Sequence, residues 1–193
     1  MSLRLMASAC VVATLALSQP ASAQQPTLRG PWLGAGIGTA SASVNCEICS
    51  DDRNGGLSGF LTGGITLSPS VRLGAELSGW FDTTDEIRQR LLLYGASAYW
   101  NPTPASQWFL KGGLGIINYH ADDAADEDDE PLGASAAALQ IGSGYEFQAG
   151  SRLRITPYAN LLVSTSGNLT SGNLIVTDAS FSVFQVGAGV TWR

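Results

Sequence analysis

Beyond the first two dozen residues, apolar side chains recur at every second position. In residues 71–82, Val71, Leu73, Ala75 and Leu77 share one parity, and Arg72, Gly74, Glu76 and Ser78 the other. In residues 152–164, Leu153, Ile155, Ala159, Leu161 and Val163 alternate with Arg154, Thr156, Tyr158, Asn160 and Ser164. Near the end, Phe184, Val186, Ala188, Val190 and Trp192 alternate with Gln185, Gly187, Gly189 and Thr191. A period of two is that of a strand with one apolar face and one polar or small face. Eight such segments are predicted, at 32–43, 57–68, 70–82, 87–100, 107–119, 133–147, 152–165 and 179–192. Each is about ten to fifteen residues long, whereas strands of soluble proteins run about five or six and tilted membrane-spanning strands about nine to eleven.

The connections alternate in kind. Those after the second, fourth and sixth segments are short (68–70, 101–106 and 148–151). Those after the first, fifth and seventh are long and polar (44–56, 120–132 and 166–178), and the connection at 83–86 is short but acidic. Short turns at one end and longer loops at the other characterise bacterial outer-membrane barrels. With eight strands, both termini fall on the short-turn, periplasmic side.

Composition narrows the choice. The 193 residues are 45% apolar and 13% charged, which excludes a disordered chain. After the N-terminus no apolar run approaches the roughly 20 residues of a spanning helix. A bilayer admits only helices and closed sheets, because it offers no water to unpaired backbone groups. The expected fold is therefore all-β, an eight-stranded antiparallel transmembrane up-and-down β-barrel. So narrow a barrel is filled by its own side chains. Gly34, Gly36, Gly38, Gly74, Gly113, Gly115, Gly142, Gly144, Gly187 and Gly189 are assigned to its interior, which is expected to be smaller and more polar than the outer face. Trp32, Trp80, Phe81, Tyr99, Trp100, Trp108, Tyr119, Tyr145, Phe147 and Trp192 lie near strand ends and are expected to form interfacial girdles.

Residues 1–23 have the form of a cleaved signal peptide: Arg4, an apolar stretch at 9–17, and the small-residue site Ala21-Ser22-Ala23, with cleavage expected after Ala23. Residues 24–193 then form the barrel domain. Cys10 falls within the discarded segment. Removing Arg4 from the ten basic residues leaves nine against sixteen acidic ones, a balance unsuited to nucleic acid.

Four stretches carry a resemblance: the signal at 1–23, the first strand Gly34-Ala35-Gly36-Ile37-Gly38, the segment KGGLGIINY from Lys111 to Tyr119, and the last strand FQVGAGVTW. The chain resembles small outer-membrane β-barrels of the OmpA/OmpX type over nearly its whole mature length. The resemblance implies insertion by the outer-membrane assembly machinery through a last strand that ends on an aromatic residue, here Trp192. Arg193 departs from that pattern. Pro157 is a second departure, to be reconciled by a bulge or a strand start.

Few residues suggest chemistry. The Gly34–Gly38 glycines are not a phosphate loop, since no helix follows them. Cys46 and Cys49, in the first long loop, are expected to form a disulfide after export, with metal capture and free thiols as the other readings. Asp122, Asp123, Asp126, Glu127, Asp128, Asp129 and Glu130 form an acidic run, read as a solvated loop or as a weak Ca²⁺ or Mg²⁺ site without EF-hand spacing. Arg72, Glu76, Lys111, Glu146, Arg152 and Arg154 fall on the inward parity; the first four are expected to pair inside the barrel, and Arg152 and Arg154, near the periplasmic rim, either join them or are solvated. His120 stands alone, with no serine partner in a catalytic pattern, so neither catalytic residues nor a cofactor are expected.

The function expected is that of a monomeric structural or surface-interaction barrel in the outer membrane of a Gram-negative bacterium. Its acidic loops would meet lipopolysaccharide, cations or a partner. A narrow pore for ions or small solutes is the first alternative, and a soluble periplasmic ligand-binding barrel the second.

Overall fold

The computed structural model describes residues 30–45, 53–84, 87–123, 132–165, 167–171 and 174–193. These form β1 (Pro31–Asn45), β2 (Arg53–Ser68), β3 (Val71–Thr84), β4 (Ile87–Trp100), β5 (Trp108–Asp123), β6 (Leu132–Tyr145), β7 (Phe147–Gln148), β8 (Leu153–Ser164), β9 (Gly167–Ser171) and β10 (Leu174–Trp192). The two-residue β7 prolongs β6 along β8, and β9 prolongs β8 between β6 and β10. The ten elements thus make eight staves. Consecutive staves pair antiparallel, and β1 closes the ring on β10, with Leu33 opposite Trp192 and Asn45 opposite Ser180. Closure leaves no open sheet edge.

Side-chain parity decides the two surfaces. On β4 the outward row runs Trp100, Ala98, Ala96, Tyr94 and Leu92, all exposed or partly so; on β5 it is Trp108, Leu110, Gly112, Leu114 and Ile116. Such a row spans nine positions, the length needed to cross a bilayer at a tilt. Ile37 (73% exposed) and Leu114 (68%) belong to this belt, which water would penalise and lipid would not.

Toward the long-loop end the pattern inverts. Outward positions turn polar: Arg90 follows Leu92, Asn118 follows Ile116, Ser135 follows Ala137 and Ser182 follows Phe184. At the same levels the interior turns apolar. Trp80, Leu91, Leu93, Ile117, Leu162, Phe181 and Val183, each at most 3% exposed, form one cluster with alanines of β1 and β6. The wall above the belt is built like a soluble barrel, apolar inside and polar outside. The smaller, more polar interior expected of the lumen is thus not uniform: the buried charged residues lie in the half nearer the short turns, among the rings of Trp32, Tyr99, Phe109 and Tyr158.

Three further expectations are corrected. Trp32, Trp80, Tyr99 and Tyr119 point inward and are buried, so they are core residues. Phe81, Trp100, Trp108, Tyr145, Phe147 and Trp192 are exposed on the outer face. Nearness to a strand end does not select a face; parity does. The seventh connection is not a long loop, because β9 and the start of β10 continue the ladder to Ser171 opposite Leu174. That stretch carries polar residues on both parities, since beyond the belt no face need be apolar. Pro157 sits within β8, opposite Ala188 of β10, in an unshifted register. On its other side, pairing stops at Gly144–Tyr158 and resumes at Phe147–Ile155 with no extra residue. The missing donor leaves a gap in the ladder, without a bulge.

Glycine is required where staves approach most closely. A Cβ on Gly38 would collide with the carbonyl of Val186 and the Cα of Gly187. Gly36 is covered by the ring of Phe60, which a Cβ would displace.

Candidate functional site

The interior polar residues gather into two networks stacked along the barrel axis. The central one surrounds Glu76 of β3. Its Oε1 accepts from Lys111 Nζ at 2.6 Å and Gln140 Nε2 at 2.9 Å, and its Oε2 accepts from Tyr99 OH at 3.1 Å and Ser97 Oγ at 3.2 Å. Four donors from three other strands satisfy one buried carboxylate, which is the condition for a charge to persist there. Beside it Gln185 Nε2 donates to Ser78 Oγ at 3.2 Å, and Asn160 Nδ2 donates to Gln185 Oε1 at 3.5 Å.

The second network lies at the short-turn mouth. Glu146, in the break between β6 and β7, meets Arg72 at 2.9 Å, Arg193 at 2.5 Å and Arg154 at 4.0 Å. The Arg72 guanidinium lies among Tyr99, Phe109 and Trp32, 5.0, 5.4 and 5.5 Å from their ring centres. Aromatic faces supply the negative potential that water no longer can. Burial, and then the positive charge of Arg72, lower the Arg193 pKa to about 10, so it stays charged at neutral pH.

Between the networks lies a cavity of about 30 Å³, bordered by Thr62, Thr156, Tyr158 and Asn160. That is room for a water molecule or two and no larger solute. Above it, the apolar cluster packs side chains from seven strands across the lumen, with Trp80 and Phe181 at most 2% exposed.

The residues singled out from the sequence divide as follows. Arg72, Glu76, Lys111 and Glu146 are brought together as two ion pairs, and Arg154 joins the rim. Arg152 does not enter the lumen; it is exposed, with its guanidinium 5.8 Å from the Trp192 ring centre. Asp122 lies on the outer wall, 3.7 Å from both Arg88 and His120. Asp123 ends β5. Cys46, Cys49, Asp126, Glu127, Asp128, Asp129 and Glu130 lie outside the described residues, as does the cleavage site after Ala23.

The model of the outer membrane protein beta-barrel domain family matches residues 9–192. The chain belongs to that family. As an outer-membrane β-barrel it shares its fold with solved relatives at low identity. Neisserial surface protein A superposes with a TM-score of 0.60 at 13% identity, covering 85% of this chain and 99% of that one. Ail, the attachment invasion locus protein of Yersinia pestis, superposes at 0.53 with 14% identity, covering 83% and 98%. No curated protein is significantly similar in sequence.

Sequence reasoning missed several members of this outer-membrane barrel's networks. Gln140, Ser97, Asn160 and Gln185 all stand on the inward parity, which was the available signal. Tyr99 was placed in the girdle, and Arg193 was set aside as a departure from the terminal pattern.

Proposed function

We propose that this barrel is a passive, closed scaffold that carries acidic loops on the outer surface of a Gram-negative cell. The observation that supports this reading is the filled lumen: a four-donor carboxylate at mid-depth, a ring of three arginines on Glu146 below it, and an apolar plug above. Charges locked in pairs favour rigidity over permeation. The lipid-facing belt argues against a soluble periplasmic carrier. In this reading the signal is cleaved after Ala23, and the assembly machinery engages the strand that ends at Trp192. The barrel works as a monomer without cofactor, catalysis or nucleic acid. The run from Asp122 to Glu130 and the loop holding Cys46 and Cys49 meet lipopolysaccharide, divalent cations or a partner. The name of Ail ties one barrel of this fold to attachment, in keeping with a surface role.

Planar-bilayer recording tests the proposal. The refolded protein is expected to give no unitary currents in molar salt. Steady openings that change in Glu76→Gln or Lys111→Met would establish the pore reading instead.

A further inference from the structure

The outer wall carries a recess that the closed lumen does not use. It spans β4, β5 and β6 immediately above the lipid-facing belt, has a volume of about 750 Å³ and is open on one side. Its lining includes Arg90, Leu92, Asn118, His120, Gly133 and Ser135. Register explains the grouping. Arg90 pairs with His120 and His120 with Gly133; one level lower, Leu92 pairs with Asn118 and Asn118 with Ser135. All six have outward parity; the two other lining residues, Tyr119 and Ala134, turn their side chains into the barrel. On β6 the outward positions at this height are only Gly133, Ser135 and Ala137, so the wall is low there and high over β4 and β5.

The recess is chemically two-sided. At its lower edge Leu92 continues into the apolar row of β4. At its upper edge Arg90 is exposed, and no ion pair among the described residues includes it. Arg88 and His120 share Asp122 nearby. Ser135 Oγ donates to Asn118 Oδ1 at 2.6 Å, a bond that leaves the Asn118 amide hydrogens unclaimed. Hydrogen-bond donors and an unpaired guanidinium thus sit above an aliphatic floor.

We infer that this recess seats the phosphorylated headgroup of an outer-leaflet lipid, with its phosphate on Arg90 and its first methylenes on Leu92. A guanidinium matches a phosphate in both charge and fork geometry. At this height and on this face the neighbour of the barrel is lipid. The acidic run that begins at Asp122 disfavours a freely diffusing polyanion, whereas acyl chains buried in the membrane offset that repulsion for a lipid headgroup held at this height. The inference takes its orientation from the proposed function and is independent of whether the lumen conducts.

The test is retention of lipid on the refolded chain, measured by native mass spectrometry after exposure to mixed micelles. The probes are diphosphorylated lipid A, its dephosphorylated form and phosphatidylglycerol. Diphosphorylated lipid A is expected to be retained about tenfold over the dephosphorylated form, the factor carried by roughly one charge-assisted hydrogen bond. Arg90→Gln should bring that ratio close to one, while Arg53→Gln, on β2 away from the recess, should leave it unchanged. Heat-dependent gel mobility shows that both variants are folded. Equal retention of the two lipid A forms, or an inert Arg90→Gln, overturns the site. Phosphatidylglycerol held as tightly as lipid A overturns the outer-leaflet assignment, and with it the orientation.

Discussion

Arg193 reaches Glu146 across the short-turn mouth, bridging two staves that do not pair: β8 lies between β6 and β10. The last residue of the chain thus helps neutralise a carboxylate that also holds Arg72 in its aromatic box. A residue that looks like an overhang beyond the terminal strand is part of the barrel's lower closure.

Glu146→Gln would leave Arg72, Arg154 and Arg193 facing one another with no anion among them. Removing one partner from a buried charge cluster typically costs about 3–5 kcal/mol. Urea titration of the barrel in vesicles, read by gel mobility, should show that loss. Arg154→Gln, which removes the most distant partner, should show clearly less; equal losses would mean that Glu146 is not the hub.

The central pair should behave as a coupled unit. Glu76→Gln strands Lys111, and Lys111→Met strands Glu76, so each alone should destabilise the barrel. The double variant should be less damaging than the sum of the two by about 1–3 kcal/mol. Its bilayer currents should stay absent, because the apolar cluster around Trp80 and Phe181 is untouched. Openings in the double variant would place the only closure at Glu76.

Parity predicts which tryptophans touch lipid. In single-tryptophan variants, brominated acyl chains should quench Trp100, Trp108 and Trp192 strongly. Trp32 and Trp80, buried in the lumen, should be quenched little. Strong quenching of Trp80 would refute its assignment to the interior.

Gly38→Val should block refolding, leaving no heat-modifiable species, because β1 and β10 approach too closely at that point for any side chain. Gly55→Ala, where a Cβ would meet nothing within 4 Å, is the matched control and should fold normally. A folded Gly38→Val barrel would show that the wall can relax there.

Much of the fold was legible in the sequence because a period of two is a local property. Val71 to Leu77 against Arg72 to Ser78 already separates lipid face from lumen, and the ten glycines assigned inward stand there. The same rule, applied at Trp32 and Tyr99, would have placed them inside as well. Parity was less informative at 167–171 and 174–178, where the ladder continues beyond the lipid-facing belt and neither face is pressed to be apolar. The lumen pairs were only half legible: parity aimed Glu76 and Lys111 inward, but nothing local connected residues 35 positions apart.

The sequence by itself determined the number of staves, the alternation of their faces and hence the closed sheet, since each follows from neighbours along the chain. Tertiary structure alone decided which inward charges meet, that Arg193 belongs with Glu146, and that an apolar plug caps a polar lumen. Those facts depend on the stagger between staves, which sets the height at which side chains from distant parts of the chain face one another. Hydrogen-bonded register and barrel closure fix that stagger together, and neither is encoded within any one strand.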